Sequence, residues 1–210
     1  MAKTEDRGKT RKRLLDAACE IFARDGFREA KVADICRLAN ANGASVNYYF
    51  RNKACLYAET WKYVFEQFEE PAFSDFAKGS PHEMLGEYIH LLMQNFTSKG
   101  GTAYFSRLYL MELANPTGLV QDNWREFIEP RRQTIHRIIR EIMGAGADDQ
   151  KVLFCELSIV NQCRTLLTVN HSDLEYLLDH PLTRDFIKRL ADHITEFSLA
   201  GIKAMGRNTF

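Results

Sequence analysis

Apolar residues recur every three or four positions along most of this chain, the period of amphipathic helices rather than of strands. Leu14, Ala18, Ile21 and Phe22 make one stripe and predict a first helix over about residues 10–25, closed by Gly26. Val32, Ile35, Cys36 and Ala39 predict a second, short helix beginning near Val32. Asn40 falls in the turn that follows, where a residue able to take positive φ is wanted. Asn42 is then an N-cap candidate for a third helix over 43–49. Asn42-Gly43 is also a hairpin signal, but its flanks are Ala-rich and do not alternate. From Lys53 a longer helix puts Leu56, Tyr57, Thr60, Trp61, Val64, Phe65 and Phe68 on one face, with an end or kink at Pro71.

The rest of the pattern predicts more helices. One follows Pro81 to about Ser98, before Gly100-Gly101, and another covers about 102–114, stopping before Pro116. The next reaches Met143 with a kink expected at Pro130. Gly144-Ala145-Gly146 reads as a turn, and Asp148 or Asp149 as the cap of a helix running to about Asn170. Pro181 opens a last helix that ends near Met205. No segment alternates convincingly and no internal repeat is present, so the expected fold class is all-α.

Two short helices, a tight turn and a Lys-led third helix within residues 32–57 have the layout of a helix-turn-helix reader of duplex DNA. Charge supports this. The formal net charge is zero, yet residues 1–53 hold 12 Lys and Arg against 7 Asp and Glu, about +5, which leaves about −5 for the rest. The excess begins early, with Lys3, Arg7, Lys9, Arg11, Lys12 and Arg13 facing only Glu5 and Asp6. Alone, such a basic tail reads as a solvated terminus; beside a helix-turn-helix it is an electrostatic footprint for phosphate.

A recognition helix needs small or polar groups toward base edges and bulkier ones to pack or to clamp phosphates. Gly43 and Ala44 allow close backbone approach, Ser45 and Asn47 offer hydrogen bonds to bases, and Tyr48 and Tyr49 carry hydroxyls that reach phosphate. Val46 and Phe50 are expected to face the small core, and core packing is the competing role for each tyrosine. Lys53 opens its helix, where its ammonium and the free backbone N–H groups attract an anion; a solvated lysine is the plainer role. Arg11 and Lys31 complete the candidate DNA contacts.

On these residues the chain resembles the TetR family of transcriptional regulators. The resemblance joins Gly26-Phe27, Val32-Ala33-Asp34-Ile35, Val46-Asn47-Tyr48-Tyr49-Phe50, Lys53 and Leu56-Tyr57, and covers roughly residues 10–60. Residues 191–204, ADHITEFSLAGIKA, are similar to the close of a C-terminal domain found in TetR-type regulators associated with efflux and antibiotic tolerance. The chain departs from the family at Asn40, where Gly is usual, and at Lys31, where a Ser or Thr cap is usual.

The resemblance implies an N-terminal three-helix DNA-binding domain, 1–52, followed by a larger helical ligand-binding and dimerisation domain, 53–210. It also implies a cytoplasmic repressor that binds a palindromic operator on double-stranded DNA as a homodimer and is released by a small-molecule effector. Val152, Leu153, Ile159, Val160 and Leu166, with Leu190, Ile194, Phe197 and Ile202, are candidates for the dimer interface, and Ala200 and Gly201 would allow close helix approach. Sparse polar and aromatic groups among apolar ones are what a ligand cavity needs. Tyr104, Tyr109, Trp124, His136, Asn161 and Arg164 are the candidates, though each taken singly is more often a core or surface group.

Other classes find little support. The six histidines are dispersed without an HExxH pattern, and no phosphate-cradling glycine loop or CxxC pair is present, so no catalytic residue, metal or cofactor is expected. Five scattered cysteines make no disulfide framework and fit a reducing cytoplasm. Cys155 and Cys163 lie eight positions apart, about 12 Å along a helix, too far for an unmoved disulfide. No apolar run is long enough to span a bilayer, and the charged N-terminus lacks an apolar signal region. A ligand- or redox-responsive helical protein that does not act through DNA is the remaining alternative.

Overall fold

The computed structural model describes the backbone of residues 2–66, 79–97 and 101–207. These form α1 (Ala2–Glu29), α2 (Val32–Leu38), α3 (Ser45–Phe50), α4 (Lys53–Phe65), α5 (Pro81–Thr97), α6 (Gly101–Ala114) and α7 (Gln121–Met143). A 3-10 turn, Gly144–Gly146, then leads into α8 (Asp149–Thr168), α9 (His171–Leu178) and α10 (Arg184–Arg207). The fold is all-α, with no strand among the described residues. The hairpin reading of Asn42-Gly43 is thereby set aside.

Local chemistry explains most boundaries. Asn52, Asp148 and Asn170 each accept a backbone N–H in the first turn of the helix they precede, from Cys55, Lys151 and Ser172 at 2.8, 2.9 and 2.9 Å. Gly26 has φ 71° and breaks the helical path of α1 near its end, a backbone state that a side chain would strain. Two expectations need correction. The segment before residue 10 is helical, so α1 starts at Ala2 and the basic run is carried on a helix. The last helix begins at Arg184 rather than at Pro181. Pro130 lies inside α7, which runs as one helix from Gln121 to Met143. α8 ends at Thr168, close to the expected Asn170, and Asn170 caps α9, a short helix that the apolar pattern does not indicate. Phe68 and Pro71 lie outside the described residues.

The chain divides into two compact units, residues 1–68 with 99–127, and 69–98 with 128–210. α4 thus falls in the first unit, with α1, α2, α3 and α6. The physical reason is its inner face, where Leu56, Tyr57, Thr60, Trp61, Val64 and Phe65 are all buried. They close the core made by Leu14, Ala18, Ile21 and Phe22 of α1. In the same unit an aromatic chain continues from α4 into α6 and the start of α7. Phe22 meets Tyr57 edge-on at 4.9 Å, Phe65 stacks on Phe127 at 3.7 Å, and Tyr109 stacks on Trp124 at 5.5 Å.

The second unit packs α5, α8, α10 and the latter part of α7 around Leu85, Ile89, Met93, Ile135, Ile138, Val152, Ile159, Cys163, Ile194 and Ile202. The close-approach glycine here is Gly206: a Cβ there would lie 2.6 Å from the Met143 carbonyl oxygen. Gly201, expected to allow close helix approach at a dimer interface, faces open space within this chain. A charged tie joins α7 to α8. Glu156 accepts from Arg132 Nε at 2.9 Å, and its second oxygen lies 2.7 Å from His136 Nε2. Burial pushes the Glu156 carboxyl up, but the hydrogen bonds and charges of Arg132 and His136 outweigh it and hold the group below the usual carboxylate range.

A carboxylate held low in the folded state stabilises above its unfolded pKa, and that contribution is lost as pH falls through the folded value. Glu156→Gln should therefore lower the unfolding free energy at neutral pH by roughly 2 kcal/mol, the range for hydrogen bonds to charged groups. Urea titrations of both proteins should converge as pH drops below the ordinary glutamate value. A gap that stayed constant into acid would show that the carboxylate charge is not what matters.

Candidate nucleic-acid interface

The α2–turn–α3 segment is closed by its own backbone. Ala39 N–H donates to the Ile35 carbonyl and Ala41 N–H to the Cys36 carbonyl, both at 2.9 Å, with Asn40 at φ 48°. The left-handed turn that glycine would have taken freely is thus made by asparagine. Asn42 turns the chain once more: its side chain accepts from Ala44 N–H at 2.9 Å and its carbonyl from Ser45 N–H at 2.8 Å. This is a cap-like turn just before the helix, so α3 starts at Ser45 and not at Gly43, and Ala44 holds the N-cap position. Lys31 precedes α2 in extended conformation with no side-chain cap, as expected where Ser or Thr is missing.

Periodicity then sorts α3 into two faces. Val46 and Phe50 are buried, anchoring the helix against the unit's core. Asn47 and Tyr48 point to solvent, and Tyr48 is 64% exposed, unusual for an aromatic side chain with a core beside it. Tyr49 is half-buried and meets Tyr48 edge-on at 4.9 Å. Gly43 and Ala44 are exposed at the head of the helix and Ser45 is half-buried. At its other end Arg51 adopts φ 72°, a strained state for a side-chain-bearing residue, and Asn52 then caps α4.

The cations are placed less simply than the sequence implies. Lys53 Nζ donates to the Arg28 carbonyl at 3.0 Å and sits 4.9 Å from the centre of the Phe27 ring. Its ammonium is therefore engaged in joining the start of α4 to the end of α1. Burial holds its pKa below the ordinary lysine value, with Glu29 acting in the opposite sense. Arg11 is also engaged: its guanidinium meets Glu59 at 2.7 Å and lies 5.1 Å from the Phe50 ring centre. The Glu59 partnership had no signal in the sequence, because the residues are 48 positions apart. Lys31 is exposed. Arg7, one turn before Arg11, lies with its guanidinium carbon 6.0 Å from the centre of the Tyr48 ring.

The residues expected to line a ligand cavity fall into two sets. Tyr104, Tyr109 and Trp124 belong to the first unit, where Tyr109 is buried in the aromatic chain. His136, Asn161 and Arg164 belong to the second. There Asn161 is exposed and donates to the Leu157 carbonyl at 2.8 Å, while Arg164 lies beside it at 3.4 Å. His136 borders an open cleft of about 410 Å³ with Gln133, Arg137, Arg140 and Glu141. Tyr88, a half-buried phenol whose pKa is pushed up by desolvation, also belongs to this unit. Among the described residues no cluster of His, Cys, Asp or Glu could hold a metal ion, and no single helix is long and apolar enough to cross a membrane.

Two family models match the chain. A family model described as bacterial regulatory proteins, tetR family, matches residues 14–60. A second, described as HTH-type transcriptional dual regulator CecR, C-terminal domain, matches residues 81–202. The HTH-type transcriptional regulator SrpR of Pseudomonas putida is 24% identical over 137 residues, 65% of this chain and 62% of that protein. The HTH-type transcriptional repressor NicS, also of Pseudomonas putida, is 29% identical over 62 residues, 30% of this chain and 29% of that protein. The chain thus spans less than two thirds of the length of either curated relative. Among solved structures, the transcriptional regulator FadR from Bacillus subtilis in complex with stearoyl-CoA superposes with TM-score 0.68 at 19% identity, covering 90% of this chain and 97% of that one. FadR from Bacillus halodurans gives TM-score 0.67 at 15% identity, covering 91% and 95%. At such identities these two likenesses are of fold.

The bond from Lys53 to the Arg28 carbonyl makes a direct prediction. Lys53→Ala should destabilise the protein by about 1 kcal/mol in the absence of DNA, the net worth of one hydrogen bond from a charged group at a half-exposed site. Chemical denaturation measures it. An unchanged midpoint would mean that the contact contributes nothing to the fold.

Proposed function

The chain belongs to the TetR family of transcriptional regulators, with a C-terminal domain of the CecR type, and from that premise we propose that it represses transcription as a homodimer on a palindromic operator and is released by a small molecule. It acts in the cytoplasm. The observation that carries the reading is the two-faced character of α3: Val46 and Phe50 hold the helix down while Asn47 and Tyr48 stand in solvent. A helix of that kind enters the major groove with its polar face on base edges. Gly43, Ala44, Ser45, Asn47, Tyr48 and Tyr49 are its proposed DNA contacts, with Lys31 and Lys53 around them.

One such helix gives too little specific contact alone, and two-fold dimers read paired half-sites. Apolar groups exposed in the second unit support a dimer. Leu153, Phe154 and Leu157 on α8 and Phe197 and Met205 on α10 all stand in solvent, Leu157 and Phe197 by more than 60%. The expected interface residues divide accordingly: Val152, Ile159, Leu166, Ile194 and Ile202 are buried in the unit's own core, whereas Leu153 and Phe197 remain for a partner. Support for an effector comes from the Bacillus subtilis regulator of like fold, which holds stearoyl-CoA. The redox alternative has less behind it, since burial pushes the thiols of Cys19 and Cys163 up to about 12, away from the reactive thiolate.

Selection of bound duplexes from a random pool, followed by anisotropy titrations, tests the DNA reading. Asn47→Ala should lose about 1–3 kcal/mol on the selected duplex and almost nothing on scrambled DNA. Equal losses on both would remove Asn47 from base recognition. For the dimer, Leu157→Asp combined with Phe197→Asp should give a monomer in sedimentation experiments and abolish tight binding to the selected duplex. A double variant that stays dimeric would place the interface elsewhere.

A further inference from the structure

The basic run before residue 14 is carried on a helix, and a helix points each charge in a fixed direction. At 3.6 residues per turn, Arg7 and Arg11 share one face of α1, while Lys9, Lys12 and Arg13 lie roughly 120° or more around it from Arg7. The shared face is the one beside α3. Arg11 lies over the Phe50 ring, and Arg7 lies near the Tyr48 ring two positions earlier on α3. The two arginines differ in what else they meet. Arg11 is matched by the Glu59 carboxylate at 2.7 Å. Arg7 is exposed and faces no carboxylate among the described residues; what it faces is a phenol ring that is itself mostly in solvent.

We propose that Arg7 is a DNA-contacting residue, seated by Tyr48 at the edge of the recognition helix to take a backbone phosphate, and that Arg11 is a positioning residue which holds the extended end of α1 against α3 and α4. The proposal rests on the DNA-binding reading above. The chemistry follows from the pair. A guanidinium is planar, stays charged, and can lie against an aromatic face while its N–H edge donates to a phosphate. Tyr48 keeps the long Arg7 side chain from ranging freely, so less order is lost when the phosphate arrives. Arg11 has part of its charge answered by Glu59, so its work is to fasten one helix end to α4.

The test uses the full-length chain, a duplex selected from a random pool with the wild-type protein, and a scrambled duplex, all titrated over a range of salt concentrations. Arg7→Ala should bind both duplexes about tenfold more weakly, and the slope of log affinity against log salt should flatten by about 0.9, one phosphate. Arg7→Lys should keep the slope but recover only part of the affinity. Tyr48→Phe should preserve the Arg7 effect, because the ring remains. On a Tyr48→Ala background, Arg7→Ala should cost clearly less than tenfold, since the seat is already gone. Arg11→Ala should leave the slope unchanged, whereas Glu59→Gln, which frees the Arg11 charge, should steepen it. Arg7→Ala with wild-type affinity and slope would overturn the assignment of Arg7 while leaving the regulator reading intact. A slope lost with Arg11→Ala instead would exchange the two roles and overturn the proposal. Failure of the wild-type chain to bind either duplex at low salt would defeat the DNA-binding reading itself.

Discussion

The first unit depends on one buried surface, the inner face of α4. Leu56, Tyr57, Trp61, Val64 and Phe65 are each almost fully removed from water, and full burial of a large apolar side chain is worth roughly 1.5–3 kcal/mol. That face receives α1 and α3 on the reading side, and in the same unit it meets the segment 99–127. Two polar ties fix its register there: the Tyr57 hydroxyl donates to Glu112 at 3.0 Å, and Asn123 Nδ2 donates to the Ala58 carbonyl at 2.9 Å. The recognition helix is therefore not an appendage on a separate small domain. Its position is set by a helix that also has to satisfy α6 and the beginning of α7. Within this unit the start of α7 adds Trp124 and Phe127, whose rings meet Phe65 and Tyr109.

Electrostatics in the reading unit is a matter of which charges are already answered. Arg11, Arg24 and Arg37 lie within 2.8 Å of Glu59, Asp25 and Asp34 respectively. Exposed pairs of this sort contribute little to stability. They matter here because they subtract from the charge offered to an incoming anion. The excess of about five positive charges over residues 1–53 is a sum that geometry distributes unevenly.

What could be read in the sequence was whatever a periodic apolar face or a local cap records. The stripe of α1, the buried face of α4, the positive φ of Asn40, the Asp148 cap and the inward turn of Val46 and Phe50 all rest on interactions within a few residues. What could not be read depends on long-range contacts. Arg11 reads as a phosphate contact until Glu59, 48 positions away, comes to lie beside it. Lys53 reads as a free ammonium until the Arg28 carbonyl arrives. α8 is apolar on too many sides for its pattern to say that Val152 faces inward and Leu153 outward. Likewise, nothing in the text of the chain separates Gly201, which faces open space, from Gly206, which is pressed against the Met143 carbonyl. The aromatic residues Tyr109 and Trp124 read as candidates for cavity lining, though such groups are more often core, and in the first unit they stack on each other.

The second unit carries its own argument about incompleteness. On α10 the residues Ile194, Ser198 and Ile202, four apart, are buried, while Phe197, Gly201 and Met205, also four apart, are exposed. A 24-residue helix with two such rows has one more apolar face than a solitary unit needs. Leu153, Phe154 and Leu157 repeat the excess on α8. Scattered exposed apolar residues need no explanation, but two aligned sets on two long helices of one unit mark a surface meant to be covered. Gly201 between Phe197 and Met205 is a gap between two knobs, the relief that lets a second helix lie close. A like copy would bring the same relief with it, as a two-fold interface requires. In the proposed dimer, a partner would supply the wall that Gly201 lacks within this chain.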